Sequence, residues 1–245
     1  MATRAEAAAR RSASIYLTQL GALRDPAQAH GARALAELIW QAEVVGRAAT
    51  SPLRATPMSL ADHLAALEKD RPAREERINR LVADESPEQL AAHAGEAVGG
   101  CERALAGAGT GVVETGQGPV RLPDVIRAAT IEARLLAERC GAGLDKAGAA
   151  QALRACAQAL SERHPGRSIE LRVPPVTAVQ LGALTGGPTH HRGTPPNVVE
   201  TDPDTFWALC TGTLDWPAAR EQRLLRVSGV HATELEQMLP VIAPR

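Results

Sequence analysis

Through the first ~140 residues, apolar positions recur at helical spacing and polar residues fill the gaps. From Arg33 to Ala49 the stripe is Leu35, Leu38, Ile39, Ala42 and Val45. A second stripe, Leu60, Leu64 and Leu67, follows Ser59 as a predicted N-cap. The third opens with Ser86-Pro87-Glu88-Gln89, a capping box with proline at the first helical position, and runs through Leu90, Ala94, Ala97, Val98, Cys101 and Leu105. The fourth runs from Pro123 to about Arg139 through Val125, Ile126, Ala129, Ala133 and Leu136, and Gly141 and Gly143 end it. Ile15, Leu20 and Leu23 predict a short helix ahead of these, and four amphipathic helices with small side chains predict a bundle. Gly107 to Leu122 reads as a long glycine-rich connection. Its glycines match neither a dinucleotide fingerprint nor a phosphate loop.

After about Leu144 the pattern changes. Asp145 caps a predicted fifth helix carrying Leu153, Cys156, Ala157 and Leu160, stopped by His164-Pro165-Gly166. Ile169-Glu170-Leu171-Arg172-Val173 alternates apolar and charged side chains, as a strand with one wet face does. Val176 to Leu181 predicts a second strand, Val198-Val199 an extended segment and Leu224 to Ser228 another strand. Thr201-Asp202-Pro203-Asp204 starts a helix that turns Phe206, Leu209 and Cys210 inward and ends at Gly212. Asp215 caps a helix at Trp216-Pro217, and Ala232 to Leu239 predicts a final short helix. Helices mixed with a few short strands predict a small α+β domain.

The chain has 245 residues, 44% hydrophobic and 22% charged, with a formal net charge of -1. That is globular composition, and it excludes a protein whose main task is nucleic-acid binding, which leaves a basic footprint. Lys69 and Lys146 are the only lysines and alanine is roughly a fifth of the chain, both consistent with a GC-rich bacterial coding bias. Tyr16 and Trp40 lie early and Phe206, Trp207 and Trp216 late, which suggests two packing regimes and two domains. Cys101, Cys140, Cys156 and Cys210 form no CxxC pair and read as reduced structural thiols. No apolar leader opens the chain and no window approaches the ~18 apolar residues of a membrane span, so a cytoplasmic protein without stable membrane insertion is expected.

No HExxH, GxSxG or metal-type cysteine pair is present. His63 shares a helix face with Leu60, Leu64 and Leu67, and Glu132 lies on the face of Val125, Ala129 and Leu136. His63 reads as a hydrogen-bonded core residue and Glu132 as a face-edge glutamate, or the two contribute to a metal site between bundle helices, where two ligands are too few for a catalytic zinc. His93 falls one position off its stripe and reads as solvated. The densest polar segment, Pro188 to Pro203, carries His190, His191, Arg192 and Asn197 among prolines. It reads either as a shaped loop at a pocket mouth or as a crossover whose polar groups satisfy its own backbone.

The runs HPGRSIELRVPP (His164 to Pro175), HRGTPPNVVETDP (His191 to Pro203) and FWALCTGTLDW (Phe206 to Trp216) closely resemble bacterial sterol carrier family proteins of actinobacteria. The helical part is similar to the bundle domain of mycothiol-dependent maleylpyruvate isomerases, which pair a four-helix bundle with a sterol-carrier-like domain. That resemblance implies a zinc held by two histidines and a glutamate. His63-Leu64 matches the first ligand's His-Leu element, and Glu132 matches the glutamate of an ExxxH pair. Leu136 stands where the second histidine belongs.

The expected architecture is therefore α+β and mostly helical: an N-terminal helical extension at 1-29, a helical bundle at 30-142 and a sterol-carrier-like α+β domain at 145-245. The leading functional expectation is non-catalytic binding of a small apolar or amphipathic, lipid-like ligand, with Phe206, Leu209, Trp216, His191, Arg192 and Asn197 as ligand-binding candidates. No cofactor is expected under that reading, and no protein partner is identified. The alternatives are a metal-dependent, thiol-cofactor transferase or isomerase, with zinc on His63 and Glu132, and a ligand-free scaffold.

Overall fold

The structure is a computed structural model that describes residues 3–143, 145–186 and 197–243. Its elements form two compact units, residues 1–152 and 153–245, which divide within one helix.

The first unit is helical. α1 spans Arg4–His30, α2 Ala32–Ala49, α3 Leu60–Lys69, α4 Arg71–Asp84, α5 Pro87–Gly107 and α6 Leu122–Arg139. The fourth long bundle helix beside α2, α5 and α6 is α1, not the Leu60 helix. Instead of a short leading helix, α1 is one continuous element opened by a Thr3–Glu6 capping box, and it buries Tyr16, Leu20, Leu23 and Ala27. These positions repeat at i, i+4, i+7 and i+11, a true helical stripe that alanine-rich flanks dilute in the sequence. Gly31, at φ 119°, breaks the chain before α2. The core fills with Leu35, Leu38, Ile39 and Val45 of α2, Leu90, Ala94 and Cys101 of α5, and Val125, Ile126 and Leu136 of α6.

The expected capping box at Ser86–Gln89 and the Ser59 cap of α3 are both present. The glycine-rich connection contains a hairpin, β1 Val112–Thr115 and β2 Gly118–Arg121. Backbone bonds staple it to the segment before α3: Leu53 N–H donates to Val112 O (2.9 Å), and Met58 N–H to Pro119 O (2.9 Å). The start of α3, and with it His63, is thereby tied to a rigid edge.

α7 spans Lys146–Arg163. Asp145 caps its start, accepting from Gly148 N–H at 3.4 Å. The second unit adds β3 Ile169–Val173, β4 Thr177–Leu181, β5 Asn197–Thr201, α8 Pro203–Thr211, α9 Trp216–Glu221, β6 Leu225–Ser228 and a 3-10 helix, Ala232–Met238. The sheet order is β4-β3-β5-β6, with β3 and β5 parallel and the outer pairs antiparallel. The alternation read from β3 sends Ile169, Leu171 and Val173 inward, and the register sets Asn197 opposite Ile169. Asp202 caps α8 through two backbone N–H groups, and Gly212 ends it in the left-handed region. The mostly helical α+β class expected from the sequence is the class observed. The four cysteines are free thiols. No helix among the described residues is long and apolar enough to cross a membrane.

Near the start of α7, Gly148 lies against the buried side chain of Gln19 on α1, which a Cβ would overlap. Gly148→Ala should therefore destabilise the protein by about 1–3 kcal/mol through overpacking, despite the ~1 kcal/mol that alanine gains over glycine in a helix. Urea unfolding checks the sign, and a Gln19→Ala background should restore most of the loss.

Candidate functional site

In the first unit four elements converge on one buried polar cluster. α2 contributes Trp40 and Gln41, α3 His63, α4 Arg74 and α6 Glu132. Arg74 is on the inward stripe of α4, one turn before Ile78 and two before Leu81. It is 8% exposed and Glu132 7%, and its Nη1 donates to Glu132 Oε2 at 3.2 Å. The guanidinium also packs over the Trp40 ring, 5.3 Å from its centroid. A lone buried carboxylate is costly, and the guanidinium bonded to Glu132 offsets that cost.

Beside the pair, Gln41, His63 and Glu132 border a cavity of about 20 Å³. Burial lowers the His63 pKa to about 4, against an opposing pull from Asp124, so the ring is neutral at pH 7. His63 Nδ1 and Gln41 Oε1 are buried and have no hydrogen-bond partner among the described residues. Tyr16 donates to the Gln41 backbone carbonyl at 3.3 Å, and burial holds its phenol protonated well above the usual range.

The structure thus brings the expected His63 and Glu132 to one cavity. Leu136, one turn beyond Glu132, is 1% exposed within the aliphatic core and offers no lone pair. A divalent metal would find one free imidazole nitrogen and a carboxylate already bonded to a cation. That donor set does not fit a zinc site. Among the described residues no group of three or more His, Cys, Asp or Glu could hold a metal ion.

On the other side of Arg74 opens a groove of about 480 Å³. Trp40, Val44, Ala48 and Ala73 wall it, Arg47 and Arg77 stand on one flank, and Asp70 and Glu114 are the acids of its lining. Asp70 is bonded by Gln117 at 2.8 Å. Arg47 and Arg77 share one carboxylate oxygen, Glu43 Oε2, at 3.6 and 3.4 Å. This groove is not legible in the sequence because α4 is polar almost throughout. The available signal was the i, i+4, i+7 spacing of Arg74, Ile78 and Leu81.

In the second unit, Phe206 is 1% exposed, Leu209 3% and Trp216 6%. A side chain bordering a water-sized void keeps surface accessible to it, so these three are packed by protein in this state. His191 and Arg192 lie outside the described residues. Asn197 uses both halves of its amide: Nδ2 donates to Ser168 O at 2.7 Å, and Oδ1 accepts from His231 N–H at 2.9 Å. Glu234 of the 3-10 helix accepts from Leu184 N–H, from Thr185 Oγ1 at 2.5 Å and from His231 Nδ1 at 2.8 Å. These bonds hold the Glu234 pKa down at about 2. One short segment, His231 to Glu234, therefore binds Leu184–Thr185 on one side and the first residue of β5 on the other.

Residues 145–241 match a family model described as bacterial SCP ortholog. A crystal structure of the mycothiol-dependent maleylpyruvate isomerase is similar at 17% identity and a TM-score of 0.48, covering 85% of this chain and 88% of that one. A histidine-to-alanine mutant of that isomerase is similar at 18% identity and a TM-score of 0.43, covering 91% of each chain. No curated protein matches the chain.

Two outcomes follow from the bonding. Arg74→Ala removes a buried ion-pair partner of Glu132 and should cost about 3–5 kcal/mol in thermal or urea unfolding. The folded pKa of Glu234 lies below its unfolded value near 4.5. Its stabilisation is therefore complete above pH 4.5 and disappears as the pH falls towards about 2. Glu234→Gln should lower the melting temperature at pH 7 and flatten the loss across that window.

Proposed function

We propose that this chain is a non-catalytic binding protein for a small amphipathic ligand, and that the ligand occupies the groove of the helical unit. The carrying observation is the groove itself. Its ~480 Å³ falls within the range of small-molecule sites, and its wall joins an indole face to aliphatic side chains. Arg47 and Arg77 share a single carboxylate oxygen on Glu43, so that flank suits an anionic head group. The apolar body would lie along Trp40, Val44 and Ala73. Support for a binding role comes from the mostly apolar and arginine lining, in which Asp70 is engaged by Gln117. The neighbouring titratable groups add to it: Arg74 and Glu132 neutralise each other, and His63 is held neutral.

A second reading has its own support. The match of residues 145–241 to the bacterial SCP ortholog model favours an apolar ligand held by the second unit, with Phe206, Leu209 and Trp216 around it. Those side chains are packed, so that mode requires them to move apart.

Native and denaturing mass spectrometry on untagged protein, incubated with a medium-chain fatty acid, separates the two. The expected result is one retained fatty acid per chain, lost in Trp40→Ala and weakened in Arg77→Ala, with Phe206→Leu unaffected. Loss in Phe206→Leu with full retention in Trp40→Ala would move the site to the second unit. No retained fatty acid in the wild-type protein would sink both readings for this ligand class.

A further inference from the structure

A buried carboxylate between helices needs a fixed positive partner, and either a bound metal cation or a side chain can supply it. In this bundle the side chain has taken that role. Arg74 reaches Glu132 Oε2 at 3.2 Å, its side chain is 9% exposed, and Trp40 covers its face. A guanidinium does not lose its proton in proteins, so the charge beside Glu132 is permanent. Packing also holds it in place: leaving Glu132 would mean abandoning the Trp40 ring.

We propose that Arg74 is a built-in replacement for a divalent cation on Glu132, and that the cavity lined by Gln41, His63 and Glu132 takes a single water in place of a metal. Two observations support the second half. Gln41 Oε1 is a buried acceptor and, with the imidazole proton on Nε2, so is His63 Nδ1; neither has a hydrogen-bond partner among the described residues, and both residues line the same cavity. Its volume of about 20 Å³ exceeds the ~10–15 Å³ needed to hold one water. One water carries two O–H donors, one for each acceptor. A divalent ion placed there would meet the two lone pairs but also the repulsion of the adjacent guanidinium.

The test is zinc and cobalt binding to the full chain, read by native mass spectrometry and by the visible absorption of cobalt. Wild-type protein and Leu136→His should both take up no stoichiometric metal, because Arg74 still occupies Glu132 even after the histidine is supplied. Arg74→Gln/Leu136→His should bind one zinc, at least about tenfold tighter than Leu136→His, the scale on which partners of metal ligands act. The charge-preserving Arg74→Lys/Leu136→His should stay as weak as Leu136→His.

One zinc bound to Leu136→His with Arg74 intact, and lost on adding His63→Ala, would overturn the proposal. So would a folded Arg74→Gln/Leu136→His protein that binds no tighter than Leu136→His. A measurement that needs no folded double variant is the zinc dependence of the wild-type melting temperature. It should be flat, and a rise abolished by His63→Ala would also overturn the proposal.

Discussion

The helical unit is organised around one constraint: Glu132 is a carboxylate on the inward face of α6 with almost no access to water. Everything close to it answers that fact. α4 is a helix of mostly exposed polar residues, yet it turns Arg74 inward to meet the carboxylate. α2 places Trp40 over the guanidinium, so the pair is shielded on a side where solvent would otherwise compete for it. The hairpin β1–β2 ties down the segment that leads into α3, and α3 in turn carries His63 to the same cavity. The groove proposed as the ligand site borders the same arginine and indole. Polar burial and ligand space are thus two sides of one wall.

The second unit solves a different problem by similar means. Its sheet is small, and the first residue of β5, opposite Ile169 in the parallel ladder, is also held by its side chain. Asn197 does this with a side chain that bonds backbone on two sides, and Glu234 secures the neighbouring segment at Leu184 and Thr185. Neither interaction is apolar. Buried or half-buried side-chain bonds to backbone give this unit directional constraints that a core of Phe206, Leu209 and Leu171 does not supply alone.

Much of this was legible in the sequence because the local chemistry agreed with the tertiary result. The caps at Ser59, Ser86, Asp202 and Asp215 mark real helix starts, and the alternation of Ile169 to Val173 marks a real half-buried strand. His63 was legible as an inward polar residue on an apolar face, whereas Glu132 read as a face-edge glutamate and is in fact buried. The failures share a cause. α1 is apolar mainly through alanine, α4 hides its inward stripe behind a charged side chain, and the hairpin is built from short strands inside a glycine-rich run. A periodicity reading weighs large apolar side chains, so it passes over an arginine that faces inward because another helix offers a carboxylate. That relation spans 58 residues of sequence and exists only in the fold.

The source of the counter-charge has a biosynthetic consequence. A protein that balances an interior carboxylate with a metal completes its fold only where that metal can be obtained, and competes for it with every other consumer. Here both members of the pair leave the ribosome in the same chain. Pairing them requires only that α4 and α6 come together. Forming that pair therefore draws on nothing beyond the chain itself.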